Sequence, residues 1–287
     1  MSMNKIVWAT DGSNDSFQAL ALAEKFSAKY SAALLGVSVI PLYYSVVNKF
    51  PAEEKDRFLE WMDKTLADKE HDSMKSMAAK LEDKGINFEF EVLKGIPHEE
   101  IILYAERENA NLIALGRGRI ADRFILGGTA LRVIRGTRIP VLTAREGRTN
   151  GKLKKILVPI AISHGLSGNF DYALKLSEGF HAELHLLNVV ELGNVQVPLE
   201  IEEQLKSFAM KDLVETIGHS RIYENIELRT IASGSGWRGI VEYVEKNDID
   251  LVVMMTYGGA TVRQEFIGST TAKVVQESPC PVITLTP

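Results

Sequence analysis

Lys5-Ile6-Val7-Trp8-Ala9-Thr10-Asp11-Gly12-Ser13 stands at a constant offset of 150 from Lys155-Ile156-Leu157-Val158-Pro159-Ile160-Ala161-Ile162-Ser163. In each stretch an apolar run gives way to small or polar residues, the pattern of a buried strand entering a loop. The offset persists through the following segment, where Leu34-Leu35-Gly36-Val37-Ser38-Val39-Ile40 falls on Leu184-His185-Leu186-Leu187-Asn188-Val189-Val190. Further on, Leu126-Gly127-Gly128-Thr129-Ala130 matches Ile267-Gly268-Ser269-Thr270-Thr271, and Ile139-Pro140-Val141 matches Cys280-Pro281-Val282, both at an offset of 141. Self-similarity on this scale marks a duplicated domain. The copies are assigned to residues 1–146 and 152–287, with the polar, glycine-bearing stretch 144–152 as linker. The total of 287 residues agrees, being roughly twice a domain of about 150.

Short β-branched runs alternate with helical patterns in each copy, which predicts an α/β fold with a five-stranded parallel sheet covered by helices on both faces. Strands are expected at about 5–10, 33–40, 86–93, 111–116 and 139–144 of the first copy, and helices at about 14–31, 52–84, 97–109 and 127–137. Leu112-Ile113-Ala114-Leu115 and Leu251-Val252-Val253-Met254-Met255 are continuously apolar, as strands buried on both faces must be. The second copy's counterpart of the long charged 52–84 helix is shorter, at roughly 199–217.

Composition narrows the function classes. The first copy holds 20 basic and 21 acidic residues and the second 13 and 17, so neither is a basic nucleic-acid binder. Cys280 is the one cysteine, which rules out an intrachain disulfide and fits a reducing compartment. No apolar run reaches the roughly 18 residues of a membrane helix, and the amino-terminal run is too short for a signal-peptide core. A soluble, cytoplasmic protein is expected.

In an open parallel sheet ligands bind beyond the carboxyl ends of the strands, where strand order reverses. That directs attention to the residues after strands one and four. The first copy reads Gly116-Arg117-Gly118-Arg119 after strand four and Gly127-Gly128-Thr129 before the next helix. The second reads Met255-Thr256-Tyr257-Gly258, then nine residues, then Gly268-Ser269-Thr270. Glycines let backbone N–H groups approach phosphate oxygens, and a hydroxyl residue opening a helix adds a donor beside the helix dipole. A duplicated fold also keeps its turns, so these loops serve either an anion or the chain reversal itself.

These residues resemble the universal stress protein family, specifically its tandem members, over nearly the whole chain. The resemblance rests on Val7-Trp8-Ala9-Thr10-Asp11-Gly12-Ser13, on the glycine loop after strand four, and on the closing Pro140-Val141-Leu142 and Pro281-Val282-Ile283 strands. It implies two Rossmann-like domains of the adenine nucleotide alpha-hydrolase type, packed as an intramolecular pseudo-dimer through their final strands. A homodimer of such chains is the further assembly it allows. It also implies binding of ATP, ADP or AMP, with magnesium accompanying ATP. Carried over by position, the first-copy site is Ala9, Thr10, Asp11, Val39, Leu115, Gly116, Arg117, Gly118, Gly127, Gly128 and Thr129. The second-copy site is Pro159, Val189, Met254, Gly258, Gly268, Ser269 and Thr270. ATP-binding members run Gly, two residues, Gly, nine residues, Gly, then Ser or Thr. The first copy keeps Asp11 and Gly116 but shortens the loop by two residues, while the second keeps Gly258, the nine-residue spacing and Gly268-Ser269 but has Ala161 for the aspartate and Met255 for the first glycine. At least one adenine-nucleotide site is expected, and not two equal ones.

Other groups carry two readings each. Arg117, Arg119 and Arg123 either reach phosphates or are solvated loop charges. Asp11 is a ligand-binding carboxylate or a cap for the helix beginning near Ser13. Asp122 is a candidate magnesium neighbour. Asp11-Gly12-Ser13-Asn14-Asp15-Ser16 matches the ATP-pyrophosphatase loop Ser-Gly-Gly-x-Asp-Ser at Gly12, Asp15 and Ser16 only. His181 and His185 fall across a helix end and the next strand, so no metal site is expected there. No catalytic constellation emerges. The expected function is a nucleotide-responsive binding module of the stress response, hydrolysing ATP slowly at most. The alternative is a nucleotide-independent scaffold that binds a protein or small ligand through the long helix.

Overall fold

The computed structural model describes residues 3–41, 52–118, 128–147, 153–161, 168–218, 225–256 and 267–287. The first copy runs β1 (Lys5–Thr10), α1 (Asn14–Tyr30), β2 (Ala33–Pro41), α2 (Ala52–Glu82), β3 (Phe88–Gly95), α3 (Pro97–Arg107), β4 (Leu112–Gly116), α4 (Thr129–Gly136) and β5 (Val141–Ala144). The second runs β6 (Lys155–Pro159), α5 (Gly168–Phe180), β7 (Glu183–Glu191), α6 (Leu199–Ile217), β8 (Ile226–Ser233), α7 (Gly236–Lys246), β9 (Leu251–Met255), α8 (Ser269–Glu277) and β10 (Val282–Leu285). The strand expected from residue 86 begins at Phe88 instead. The amides of Lys84, Gly85 and Ile86 bond back to carbonyls of the last α2 turn, so these residues end the helix before the strand starts.

All ten strands form one sheet in the order β3-β2-β1-β4-β5-β10-β9-β6-β7-β8. Pairing is parallel within each copy, and β1 lies between β2 and β4, so strand order reverses beside it. β5 and β10 pair antiparallel, with Val282 opposite Thr143, Ile283 opposite Leu142 and Thr284 opposite Val141. The final strands thus join two expected five-stranded sheets into one.

Burial on both faces follows residue by residue. Ile6 and Trp8 face one apolar layer with Leu112 and Ala114, whereas Val7 and Ala9 face the other with Ile113 and Leu115. Each layer continues into the second copy: the first takes in Phe170, Leu184 and Leu251, and the other Leu157, Ile240 and Val282. Covering both faces removes about 25 cal/mol of unfavourable hydration for every Å² of apolar surface buried, across the boundary between copies as well as within each.

The seam has local two-fold symmetry. Thr143 Oγ1 donates to the Val282 carbonyl at 3.3 Å, and its counterpart Thr284 Oγ1 donates to the Val141 carbonyl at 3.4 Å. Alongside, Phe180 packs on Phe26 and Tyr30 with ring centroids 5.5 and 6.0 Å apart. Arg117 makes an unsymmetric tie. Its Nη1 donates to the carbonyls of Gln276 and Ser278 at 3.1 and 2.8 Å, and Nη2 to that of Cys280 at 3.3 Å. Burial, with Arg145 nearby, draws its pKa down to about 10, which leaves it charged at neutral pH. Cys280 is wholly buried beside it, and burial pushes its thiol up to about 11.

Because the thiolate is the reactive form, native Cys280 should resist iodoacetamide at pH 8 and react once the chain unfolds in guanidinium. Arg117→Met removes three hydrogen bonds to carbonyls, two of them buried, and should cost about 2–4 kcal/mol in urea denaturation. It should also speed Cys280 labelling. Rapid labelling of the native wild-type chain would contradict the closed seam.

Candidate functional site

At the carboxyl end of β1 the chain turns sharply into α1. The Gly12 amide donates to Thr10 Oγ1 at 3.1 Å, and the Ser13 amide donates to Asp11 Oδ1 at 3.0 Å. Ser13 is the helix cap, its Oγ accepting the Ser16 amide at 3.2 Å. Of the two readings of Asp11, the cap therefore belongs to Ser13, and Asp11 is left exposed with its carboxylate held by the turn. The same cap occupies the hydroxyl that departs from the pyrophosphatase pattern: Ser13 serves α1.

Gly116, closing β4, makes room for that helix. A Cβ there would lie 2.5 Å from the Ser16 amide nitrogen and 2.8 Å from the Asp15 carbonyl carbon, both rigid backbone atoms. Trp8, fully buried beneath, donates its indole N–H to the Ser16 carbonyl at 2.8 Å and fixes the first turn of α1 from below.

A cleft of about 380 Å³ opens between β1 and β4 at these ends, at the strand-order reversal. It is lined by Ala9, Thr10, Asp11, Ser38, Val39, Ile40, Pro41, Leu66, Glu70, Pro97, Ile101, Leu115, Gly116 and Thr129. Of the expected first-copy residues it gathers Ala9, Thr10, Asp11, Val39, Leu115, Gly116 and Thr129. Gly118 follows β4 with φ +76 and Gly128 is the residue capping α4, neither lining the cleft. Arg117 does not join them: its guanidinium faces the second copy's carbonyls, in keeping with neither a phosphate ligand nor a solvated charge. Gly127, Arg119, Asp122 and Arg123 lie outside the described residues.

Sequence reasoning missed Ser38, Ile40, Pro41, Leu66, Glu70, Pro97 and Ile101. Leu66 and Glu70, four apart on one face of α2, bring the long helix into the cleft, and Ser38 Oγ donates to Glu70 Oε2 at 2.9 Å. The lining therefore holds two carboxylates, Asp11 and Glu70, three hydroxyls and an apolar wall, with no lysine or arginine among its described members.

The second copy differs at the matching places. Ala161 stands exposed where Asp11 stands in the first, and Asn188 Nδ2 donates to the Ile160 carbonyl at 3.0 Å. Pro159 ends β6, Val189 lies in β7, and Met254 is buried in β9. Gly268 precedes α8, where Ser269 and Thr270 begin the helix. Its amide donates to the Thr256 carbonyl at 2.8 Å, while Thr271 Oγ1 donates to that of Met255 at 2.9 Å. Gly258 lies outside the described residues. Glu191 Oε1 stands 2.6 Å from the point a Cβ on Gly236 would occupy, so a resident carboxylate already faces the amino end of α7.

The fold is thus a doubled, mostly parallel α/β sheet with a cleft at the switch point of its first half. The universal stress protein family model matches residues 3–145 and again residues 152–285, and the chain belongs to that family as a tandem member. A universal stress protein of Methanocaldococcus jannaschii is 29% identical over 144 residues, covering 50% of this chain and 82% of that one. One of Mycobacterium tuberculosis is 23% identical over 195 residues, covering 63% and 65%. The crystal structure of a universal stress protein from Archaeoglobus fulgidus covers 99% of this chain and 97% of its own at 20% identity, with a TM-score of 0.68, and supports the double fold.

Gly116→Ala should push α1 away from β4, costing about 1–3 kcal/mol by overpacking. Urea denaturation measures the loss, and tryptophan emission should shift because Trp8 is bonded to the same turn.

Proposed function

We propose that the first copy binds an adenine nucleotide in the β1–β4 cleft, and that the chain serves stress physiology as a nucleotide-responsive binding module. The observation carrying this is the convergence of Ala9, Thr10, Asp11, Val39, Leu115, Gly116 and Thr129 on one cleft at the switch point. Its chemistry suits a nucleoside: carboxylates accept from ribose hydroxyls or an exocyclic amine, and Val39, Ile40, Leu66 and Leu115 offer an apolar wall to a base. The phosphate end belongs at Thr129, where α4 presents free amides with no acidic residue in its first turn. Magnesium, where ATP is the ligand, arrives with the phosphates. Binding without turnover is the proposed activity.

Responsiveness comes from α2. Leu66 and Glu70 make this 31-residue helix part of the cleft wall, so an occupant that touches Glu70 biases the helix position along its length. The second copy, with Ala161 for aspartate and Glu191 against a helix amino end, is the weaker site or none.

Isothermal titration should show one site per chain for ATP, ADP or AMP. Asp11→Ala should weaken it about tenfold to a hundredfold, the worth of one polar contact of about 1–3 kcal/mol that the bound nucleotide would cover. Absence of heat with all three nucleotides at millimolar concentration would sink the proposal.

A further inference from the structure

Away from the cleft, β7 and β8 bring together three side chains that the nucleotide reading does not use. Glu183 and His185 are two apart on β7 and so share a face, and the parallel register sets Glu227 of β8 opposite His185. His185 Nε2 lies 3.4 Å from Glu183 Oε1 and 3.6 Å from Glu227 Oε2, and the three donor atoms all lie within 4.8 Å of one another. The imidazole is buried, its side chain only 2% exposed, and Nε2 has no hydrogen-bond partner. We propose that Glu183, His185 and Glu227 form a binding site for a divalent transition-metal ion of the zinc class.

Three features of the geometry favour a cation. The other ring nitrogen, Nδ1, is 2.8 Å from Tyr243 Oη on α7, and that contact orients the ring, as an outer partner does for a metal-bound imidazole. When Nδ1 donates to Tyr243, the Nε2 lone pair faces two carboxylates, and a cation standing between them would be bound by all three groups. Bonds of about 2.0–2.2 Å at tetrahedral angles would place donor atoms roughly 3.3–3.5 Å apart, close to the two separations at Nε2.

The surrounding groups leave that place open. Arg229 pairs with the other Glu227 oxygen, Oε1, and Lys155 Nζ is engaged on the Asn247 carbonyl at 3.1 Å. Glu183 keeps 42% of its side chain exposed, so the ion would reach the site from solvent and retain water on its outer side. One imidazole with two carboxylates suits zinc and its first-row neighbours and disfavours calcium or magnesium, which prefer all-oxygen shells.

The first copy supplies an internal control. At the same offset it has Ala33 and Leu35, while Glu89 still lies opposite Leu35 and Tyr104 holds the corresponding place on α3. The fold therefore accepts leucine where the second copy buries a histidine with a bare nitrogen.

The test uses the full chain stripped of metal and titrated with zinc chloride against a chromophoric chelator, beside His185→Leu, Glu183→Gln and Glu227→Gln. Expected are one equivalent of zinc lost in His185→Leu, affinity lowered about 10- to 100-fold in each glutamine variant, and a zinc-dependent rise in Tm that His185→Leu lacks. Metal-free His185→Leu should be at least as stable as wild type, which separates lost ligation from lost folding. Cobalt titration should add visible absorption bands to the wild-type chain only. No zinc uptake by wild type, equal uptake by His185→Leu, or unchanged affinity in both glutamine variants would overturn the proposal.

Discussion

β5 and β10 exchange backbone hydrogen bonds across the middle of the molecule, and this antiparallel pairing is the constraint on which the rest of the structure depends. Each strand is four residues long and entirely buried, so either would be an apolar edge of unpaired amides and carbonyls if the other were absent. Pairing them closes both edges at once. It also continues the two apolar layers from one copy into the other, which makes the tandem chain a single body rather than two beads on a linker. The buried Arg117 guanidinium and Cys280 belong to this seam.

Duplication explains how the copies could diverge without harm to the fold. Most residues that hold the strands together have a counterpart of similar apolar character, Trp8 being matched by Val158 and Leu112 by Leu251, with buried His185 in the place of Leu35 an exception. Positions at strand ends are under no such packing constraint. There the first copy has Asp11 where the second has Ala161, and the second has Glu183 where the first has Ala33. The copies share a scaffold and differ in the chemistry placed at its ends.

Much of this was legible in the sequence, because the repeat and the two-sided apolar runs follow from local pattern. The strands were placed that way to within about two residues, whereas the seven lining residues of the cleft were carried over by position from the family resemblance. What stayed hidden depended on contacts between distant segments. Arg117 sits in a glycine loop of the kind that cradles phosphate, and only the fold shows its fork on three carbonyls about 160 positions away. Leu66 and Glu70 are ordinary members of a charged amphipathic helix until packing selects their face. The triad of Glu183, His185 and Glu227 needs the β7–β8 register, which spans the whole of α6. His181 and His185 looked like the pair to weigh, yet His181 ends a helix with φ +53 while His185 finds its neighbours on the adjacent strand.

The direction reversal at the seam has a geographical result. Strands of the second copy run opposite to those of the first, so the amino ends of β7 and β8 lie along the same border of the sheet as the carboxyl ends of β1 and β4. One border thus carries both the acidic cleft and the histidine–carboxylate triad, far apart along its length. A duplicated domain is commonly pictured as offering the same face twice. Here the inverted join lets a single rim present two different chemistries, one from the finishing ends of one copy and one from the starting ends of the other.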